Sequence, residues 1–292
     1  MRLSILDDGH RRRAKLFLAA TSALSRVDSP DIVKMLLYRP DFFAQPLLVI
    51  TADAMRGPSY WTAGEREYLA MSTAQLHQCP FCVVTHAELV RVAGHGEIDP
   101  DDPASARPEL RQVRDFLGAV SRTPDHVDGG GVADLPEQAV LEALRVNLGW
   151  NVVNRLANAF GFVLRDGQLH SGTRSLHRFG YRFPGFLLAG GDGADSGDVV
   201  ENLRRAVLDA PAATEPALRA AAAIGGSLPE PWKSYAATVR DTSYRVTDAD
   251  IDRLAAEHSE DEIFEITVAA AVGAALRSHD AGLRAVRNKS AD

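Results

Sequence analysis

Glu67-Tyr68-Leu69-Ala70-Met71-Ser72-Thr73-Ala74-Gln75-Leu76-His77-Gln78-Cys79-Pro80-Phe81-Cys82-Val83-Val84-Thr85-His86 is the stretch on which the reading of this chain turns. Its apolar spacing is helical and it breaks once, at Pro80. Proline disfavours helical backbone at the residue before it and suits the first helical position. Two helices should therefore meet at Cys79, with Cys79 at or just before the second N-terminus and Cys82 in its first turn. Unpaired amides and the positive dipole end stabilise a thiolate there. Such settings lower a thiol pKa from about 8.5 to roughly 3.5–7.5. His86 follows Cys82 by four residues, so it shares its face one turn on. An imidazole at that place can take the thiol proton, the pattern of a nucleophile with its base. Glu67, on the preceding helix, could orient His86 as a third group if the two helices pack together.

Other readings of the same residues stay open. The cysteines could be small core side chains. His77, Cys79, Cys82 and His86 also spell HxCxxCxxxH, a two-sulfur, two-nitrogen set that suits tetrahedral zinc. A thioredoxin fold is disfavoured, because no strand-helix-strand pattern precedes the pair.

Outward from this stretch the periodicity stays helical and the strand signal is weak. Thr62 with Glu65 three residues on forms a capping box opening the first helix, which should run to about Leu76. Before it, helices are expected over 32–38 and, capped by Asp41, over 42–55, stopping at Gly57-Pro58. The second helix of the focal stretch should span 81–92 and end at Gly94. Residues 98–108 read as an acidic, Pro-rich loop, 109–121 as a helix and Asp128-Gly129-Gly130-Gly131 as a break. A long apolar helix is expected over 136–160, closing at Gly161. The Gly/Asp/Ser-rich run 188–198 is the linker candidate. It separates residues 1–188 from residues 199–292, where helices are expected over 199–209, 215–224, 232–240, 248–257 and 260–276. Helix starts at Pro136 and Ser259, each followed by acids that suit the dipole, make a faint internal echo.

Composition bounds the rest. The 292 residues are 46% apolar and 24% charged, as in ordinary globular proteins. With 32 basic and 39 acidic side chains the charge is −7, which argues against a nucleic-acid partner. No run approaches the ~20 apolar residues of a spanning helix, and no signal core follows Arg11-Arg12-Arg13. A cytoplasmic protein without membrane contact is expected. Two cysteines cannot build a disulfide framework, and in that compartment a pair is more often catalytic or metal-binding.

Glu67, eleven residues, Cys79, two, Cys82, three, His86 resembles the alkylhydroperoxidase AhpD-like group of the carboxymuconolactone decarboxylase superfamily. Arg66-Glu67 and Val83-Val84-Thr85-His86-Ala87 agree with it. So does Trp150-Asn151-Val152-Val153-Asn154-Arg155-Leu156-Ala157, which looks like the helix that peroxidase-related members place after the motif. The resemblance covers about 36–162, and 246–277 resembles a degenerate second copy without cysteines. It implies an all-α AhpD-like domain over 1–188, a degenerate helical repeat over 199–292, and a homo-oligomer. It implies reduction of small hydroperoxides, with Cys82 as peroxidatic thiolate, Cys79 as resolving thiol, His86 relaying protons and Glu67 behind it. No metal, haem or flavin cofactor is implied; electrons would come from a lipoyl-bearing or thioredoxin-like dithiol protein. Known members carry a histidine directly before the second cysteine, where this chain has Phe81, so general disulfide exchange is open beside peroxide turnover. Lactone decarboxylation is disfavoured, since that branch lacks the pair. The non-catalytic alternative is a helical binding or redox-sensing module with the pair as sensor or zinc site.

Overall fold

The computed structural model describes residues 1–188 and 197–289. The chain is all-α, with fifteen α-helices and no strand among the described residues. In chain order they are α1 (Ile5–Asp8), α2 (Arg12–Ser25), α3 (Asp31–Tyr38), α4 (Gln45–Arg56), α5 (Ala63–Leu76), α6 (Pro80–Ala93), α7 (Pro108–Arg122) and α8 (Glu137–Phe160). Then come α9 (Gln168–Phe179), α10 (Gly185–Leu188), α11 (Val199–Leu208), α12 (Pro216–Ile224), α13 (Trp232–Thr242), α14 (Asp248–Ala255) and α15 (Glu260–Lys289).

Two long helices carry the packing. α8 and α15 lie antiparallel along each other: Leu144 meets Gly282 near one end, and Phe160 stacks on Phe264 near the other. Both are buried along most of their length, which an apolar stripe on one face would not allow. Around α8 pack α4, α5 and α7; around α15 pack α11, α12, α13 and α14. α5 and α6 form an antiparallel hairpin. A Cβ on Gly64, at the start of α5, would lie 2.4 Å from the Gly94 Cα that caps the end of α6. Glycine is thus required where the two backbones touch. At the far end of α8, Gly161 adopts φ 66°, a left-handed stop open to glycine.

Several boundaries differ from the sequence expectation. The segment after Tyr38 begins with a π-helical turn, Pro40–Ala44, before α4. α15 runs well past Leu276, because Ser278 and His279 are buried and Asp280 pairs with Arg204 at 3.0 Å. α9 was not anticipated at all. Of the linker candidate, Leu188 closes α10 and Asp198 caps α11, and residues 189–196 lie outside the described residues. No described helix is long and apolar enough to cross a membrane.

Candidate dithiol site

The capping box at the head of α5 forms as the sequence requires. Thr62 Oγ1 accepts from the Glu65 amide at 3.2 Å, and Glu65 accepts from the Thr62 amide at 2.8 Å. α5 ends at His77, and Gln78 turns the chain with φ 48°. Cys79 follows as the extended N-cap of α6 (φ −101°, ψ 94°), with Pro80 at the first helical position. Cys82 falls in the first turn and His86 one turn later on the same buried side.

Both thiols are free and buried, with 1% and 2% of their surface exposed, so they react only when the surrounding packing opens. Their acidities diverge. The Cys79 thiol is pulled below its ordinary range because the Cys82 thiol hydrogen-bonds to it. Burial opposes this, and the amides of Cys82 and Phe81 add to it. No amide is close enough to Cys79 to cap the helix by the usual geometry, yet both point their positive ends at the sulfur. Cys82 is pushed well above its ordinary range, by burial first and by its Cys79 neighbour second. Cys79, the N-cap residue, stands where the first amides of α6 are open, and Cys82 lies inside the first turn; the two thiols are equally enclosed.

Behind the pair, Glu67 and His86 come together as expected. His86 Nδ1 lies 2.7 Å from Glu67 Oε2. A carboxylate only accepts, so Nδ1 carries the proton and Nε2 is left as the acceptor. Nε2 is buried and has no hydrogen-bond partner in the protein. Glu67 is fully buried, and burial pushes its carboxyl up. The hydrogen bond from His86, with the hydrogen bond and charge of Arg56, outweighs burial and holds it below the carboxylate range. Arg56 donates to Glu67 Oε1 at 2.6 Å, and the Tyr181 hydroxyl donates at 2.9 Å. Trp150 closes the side of the site. Its ring meets that of His86 at 4.0 Å between centroids, nearly perpendicular, and its indole N–H points to Met55 Sδ at 3.3 Å.

Arg56, Tyr181 and Met55 escaped the sequence reading. Arg56 stands at a helix end, and Tyr181 follows α9, a helix with too few apolar residues to register. α9 packs on α6, and Tyr181 just beyond it reaches Glu67.

His77 does not join the pair. Its Nε2 lies 2.6 Å from Asn151 Oδ1, and burial first, then the Arg155 charge, push it down to about 3. It is therefore neutral and occupied. Of the HxCxxCxxxH set, both histidines are committed elsewhere through a ring nitrogen. Among the described residues no group of three or more His, Cys, Asp or Glu could hold a metal ion. Phe81 packs edge-on to Phe162 at 5.4 Å, so the position before the second cysteine serves packing. A cavity of about 330 Å³ opens elsewhere, between α5 and α7, beside Tyr68, Met71, Arg114 and Arg122; neither cysteine lines it.

No protein-family profile matches the chain, and no curated protein matches it. Among solved structures, the chain is similar to the alkylhydroperoxidase AhpD core of an uncharacterized peroxidase-related protein from Ralstonia eutropha JMP134. Identity is 19%, the match covers 55% of this chain and 88% of that one, and the TM-score is 0.47. What the site geometry defines by itself is a class: a buried dithiol at a helix N-terminus, backed by a carboxylate-fixed histidine.

Proposed function

We propose that this protein is a dithiol oxidoreductase of the alkylhydroperoxidase-like kind, reducing small hydroperoxides through Cys79 and Cys82. The observation that carries this reading is geometric: a buried cysteine pair at the N-terminus of α6, followed one turn on by a histidine whose Nδ1 is fixed by Glu67 and whose Nε2 is buried and unpaired.

The chemistry then runs in three steps. The Cys79 thiolate attacks a hydroperoxide oxygen; the S–O bond forms, the O–O bond breaks, and the alcohol leaves with a proton from solvent. His86 Nε2 takes the Cys82 proton as Cys82 sulfur attacks Cys79 sulfur. The disulfide forms and the oxygen leaves as water with that proton. An external dithiol restores the pair by exchange. A lipoyl-bearing or thioredoxin-like protein is the proposed reductant, and a reducing compartment such as the cytoplasm would keep the pair as the two thiols seen here. Self-association into a homo-oligomer belongs to the same reading, as does residues 199–292 being a degenerate copy of the cysteine-bearing half. In support of the last, α12, α13 and α14 pack on α15, one long helix at the centre of that half, as α4, α5 and α7 pack on α8.

A dithiol-coupled peroxide-consumption assay tests it. Cys79→Ser should abolish turnover. Cys82→Ser should complete the first step once and leave a trappable sulfenic acid on Cys79. Wild-type turnover in Cys79→Ser sinks the proposal.

A further inference from the structure

Asn154 is the one asparagine of the α8 polar row whose side chain is idle. Asn147 donates to Thr73 at 3.2 Å, Asn151 Oδ1 lies 2.6 Å from the His77 ring, and Asn158 donates to the His77 carbonyl at 2.8 Å. Arg155, next along the helix, is bound to Asn151 Oδ1 at 2.8 Å and to the Arg240 carbonyl at 2.9 Å. Asn154 is fully buried, and neither its Oδ1 nor its Nδ2 has a hydrogen-bond partner in the protein. Two unpaired polar atoms in a core are costly and call for an explanation.

Register says where this amide points. Two ring contacts bracket the gap between α6 and the end of α8: His86 with Trp150, and Phe81 with Phe162. The two helices thus run in opposite directions. One turn back from His86 on α6 is Cys82; one turn on from Trp150 on α8 is Asn154. By its angle on α8, Asn154 falls between Trp150, which meets His86, and the Asn151–Asn158 row, which holds His77 just before Cys79. By register, the idle amide and the idle His86 Nε2 therefore lie on the faces of α8 and α6 that meet beside the first turn of α6.

We infer that Asn154 is a catalytic residue of the dithiol site: its Nδ2–H donates to the peroxide oxygen that leaves as the O–O bond breaks, where negative charge develops while the other oxygen stays on sulfur. This rests on the dithiol reading above and goes beyond it by assigning the oxygen-binding donor. No peroxide occupies the resting dithiol site, so the donor waits unpaired. The titratable groups of the elements that meet there are His86 on α6, Glu67 and the neutral His77 on α5, Arg56 on α4, Arg155 on α8 itself and the neutral Tyr181 after α9.

The test uses the full chain. In the Cys82→Ser background, hydrogen peroxide is added and sulfenic acid on Cys79 is trapped with a dimedone probe. Adding Asn154→Leu should slow its formation about a hundredfold, the usual worth of one preorganised donor at a developing oxyanion. The same change should leave the melting temperature equal or higher, because it removes two unpartnered polar atoms from the core. A purely structural asparagine would show the reverse: lower melting temperature and unchanged chemistry, which overturns the inference. Asn154→Asp supplies a second measure. Its carboxylate beside the sulfurs should move the pH midpoint of Cys79 alkylation upward, and an unmoved profile also overturns the inference. No sulfenic acid with Asn154 intact defeats the peroxidase reading itself. Normal sulfenic acid indifferent to Asn154 defeats this inference alone.

Discussion

α8 and α15 are partners in one seam, and two polar clusters buried along it are treated in opposite ways. Around Glu265 and Thr267, in the first half of α15, the large polar side chains satisfy one another. Glu265 accepts from the amides of Ala213 and Thr214 at 2.8 and 2.7 Å and pairs with Arg39 at 2.5 Å. Tyr235 and Thr267 share a hydrogen bond of 2.7 Å, and the buried Arg219 donates to the Val207 carbonyl at 2.7 Å. Around α8 the polar row is just as dense, yet Asn154 and the neighbouring His86 Nε2 are left without partners. Closed networks specify packing. An open one beside a nucleophile is the arrangement expected where a reacting atom has to be received.

The sharpest way to break this contrast is a matched pair of carboxylate replacements. Glu67→Gln and Glu265→Gln each remove a buried charge facing an arginine, and each should cost about 3–5 kcal/mol of stability. Only Glu67→Gln should also slow thiol chemistry, since His86 loses the group that fixes its tautomer. Equal alkylation rates in both variants would erase the distinction between the halves.

Next in size are the two helix crossings. Gly64→Ala places a Cβ 2.4 Å from the Gly94 Cα, and Gly273→Ala places one 2.4 Å from the Ala223 Cβ. Overpacking of this kind costs about 1–3 kcal/mol. Gly64→Ala should shift α5 from α6 and perturb Glu67–His86, seen as slower peroxide consumption. Gly273→Ala should lower the melting temperature with per-molecule activity intact.

Smaller still is a pair of hydroxyl deletions. Tyr235→Phe should cost about 1 kcal/mol, one neutral hydrogen bond. Tyr181→Phe should cost somewhat more, since the lost bond goes to a charged carboxylate, and should shift the pH dependence of thiol reactivity. Tyr235→Phe should leave that dependence unmoved.

Acid provides the last comparison. Glu67 is held below the ordinary carboxylate range, so its folded pKa is depressed. The stability it contributes is complete above the unfolded value of about 4.3 and is lost as pH falls through the folded value. The stability gap between wild type and Glu67→Gln should therefore be widest at neutral pH and shrink below about pH 4. A gap that grows on acidification would reverse the assigned sign.

Much of the site was legible because it is local. Pro80, the four-residue step from Cys82 to His86 and the Thr62–Glu65 box all act within one or two helical turns, where spacing determines geometry. The Glu67–His86 contact needed one further assumption, that consecutive helices pack as a hairpin. Which of the two sulfurs carries the thiolate is not a matter of spacing, because the N-cap and the first turn share the same open amides. Arg56 and Tyr181 were out of reach, since they arrive at Glu67 from 11 and 114 residues away. α9 escaped because its apolar face is narrow and its outer face polar. The length of α15 was missed because Ser278-His279-Asp280 looks like a stop and only its burial and its pairing with Arg204 say otherwise.

The depth of the two sulfurs has a kinetic consequence. A thiol with almost no exposed surface reports to any reagent the product of its own reactivity and the fraction of time the packing around it is open. Each ~1.4 kcal/mol of opening free energy lowers every measured rate about tenfold, whatever the thiol pKa. Opening wide enough for hydrogen peroxide is a smaller excursion than opening for a bulky maleimide or a carrier protein. The dithiol should therefore behave as a size filter, fast towards small oxidants and slow towards large alkylators. The slope of rate against reagent volume would measure how far the packing around the pair has to open.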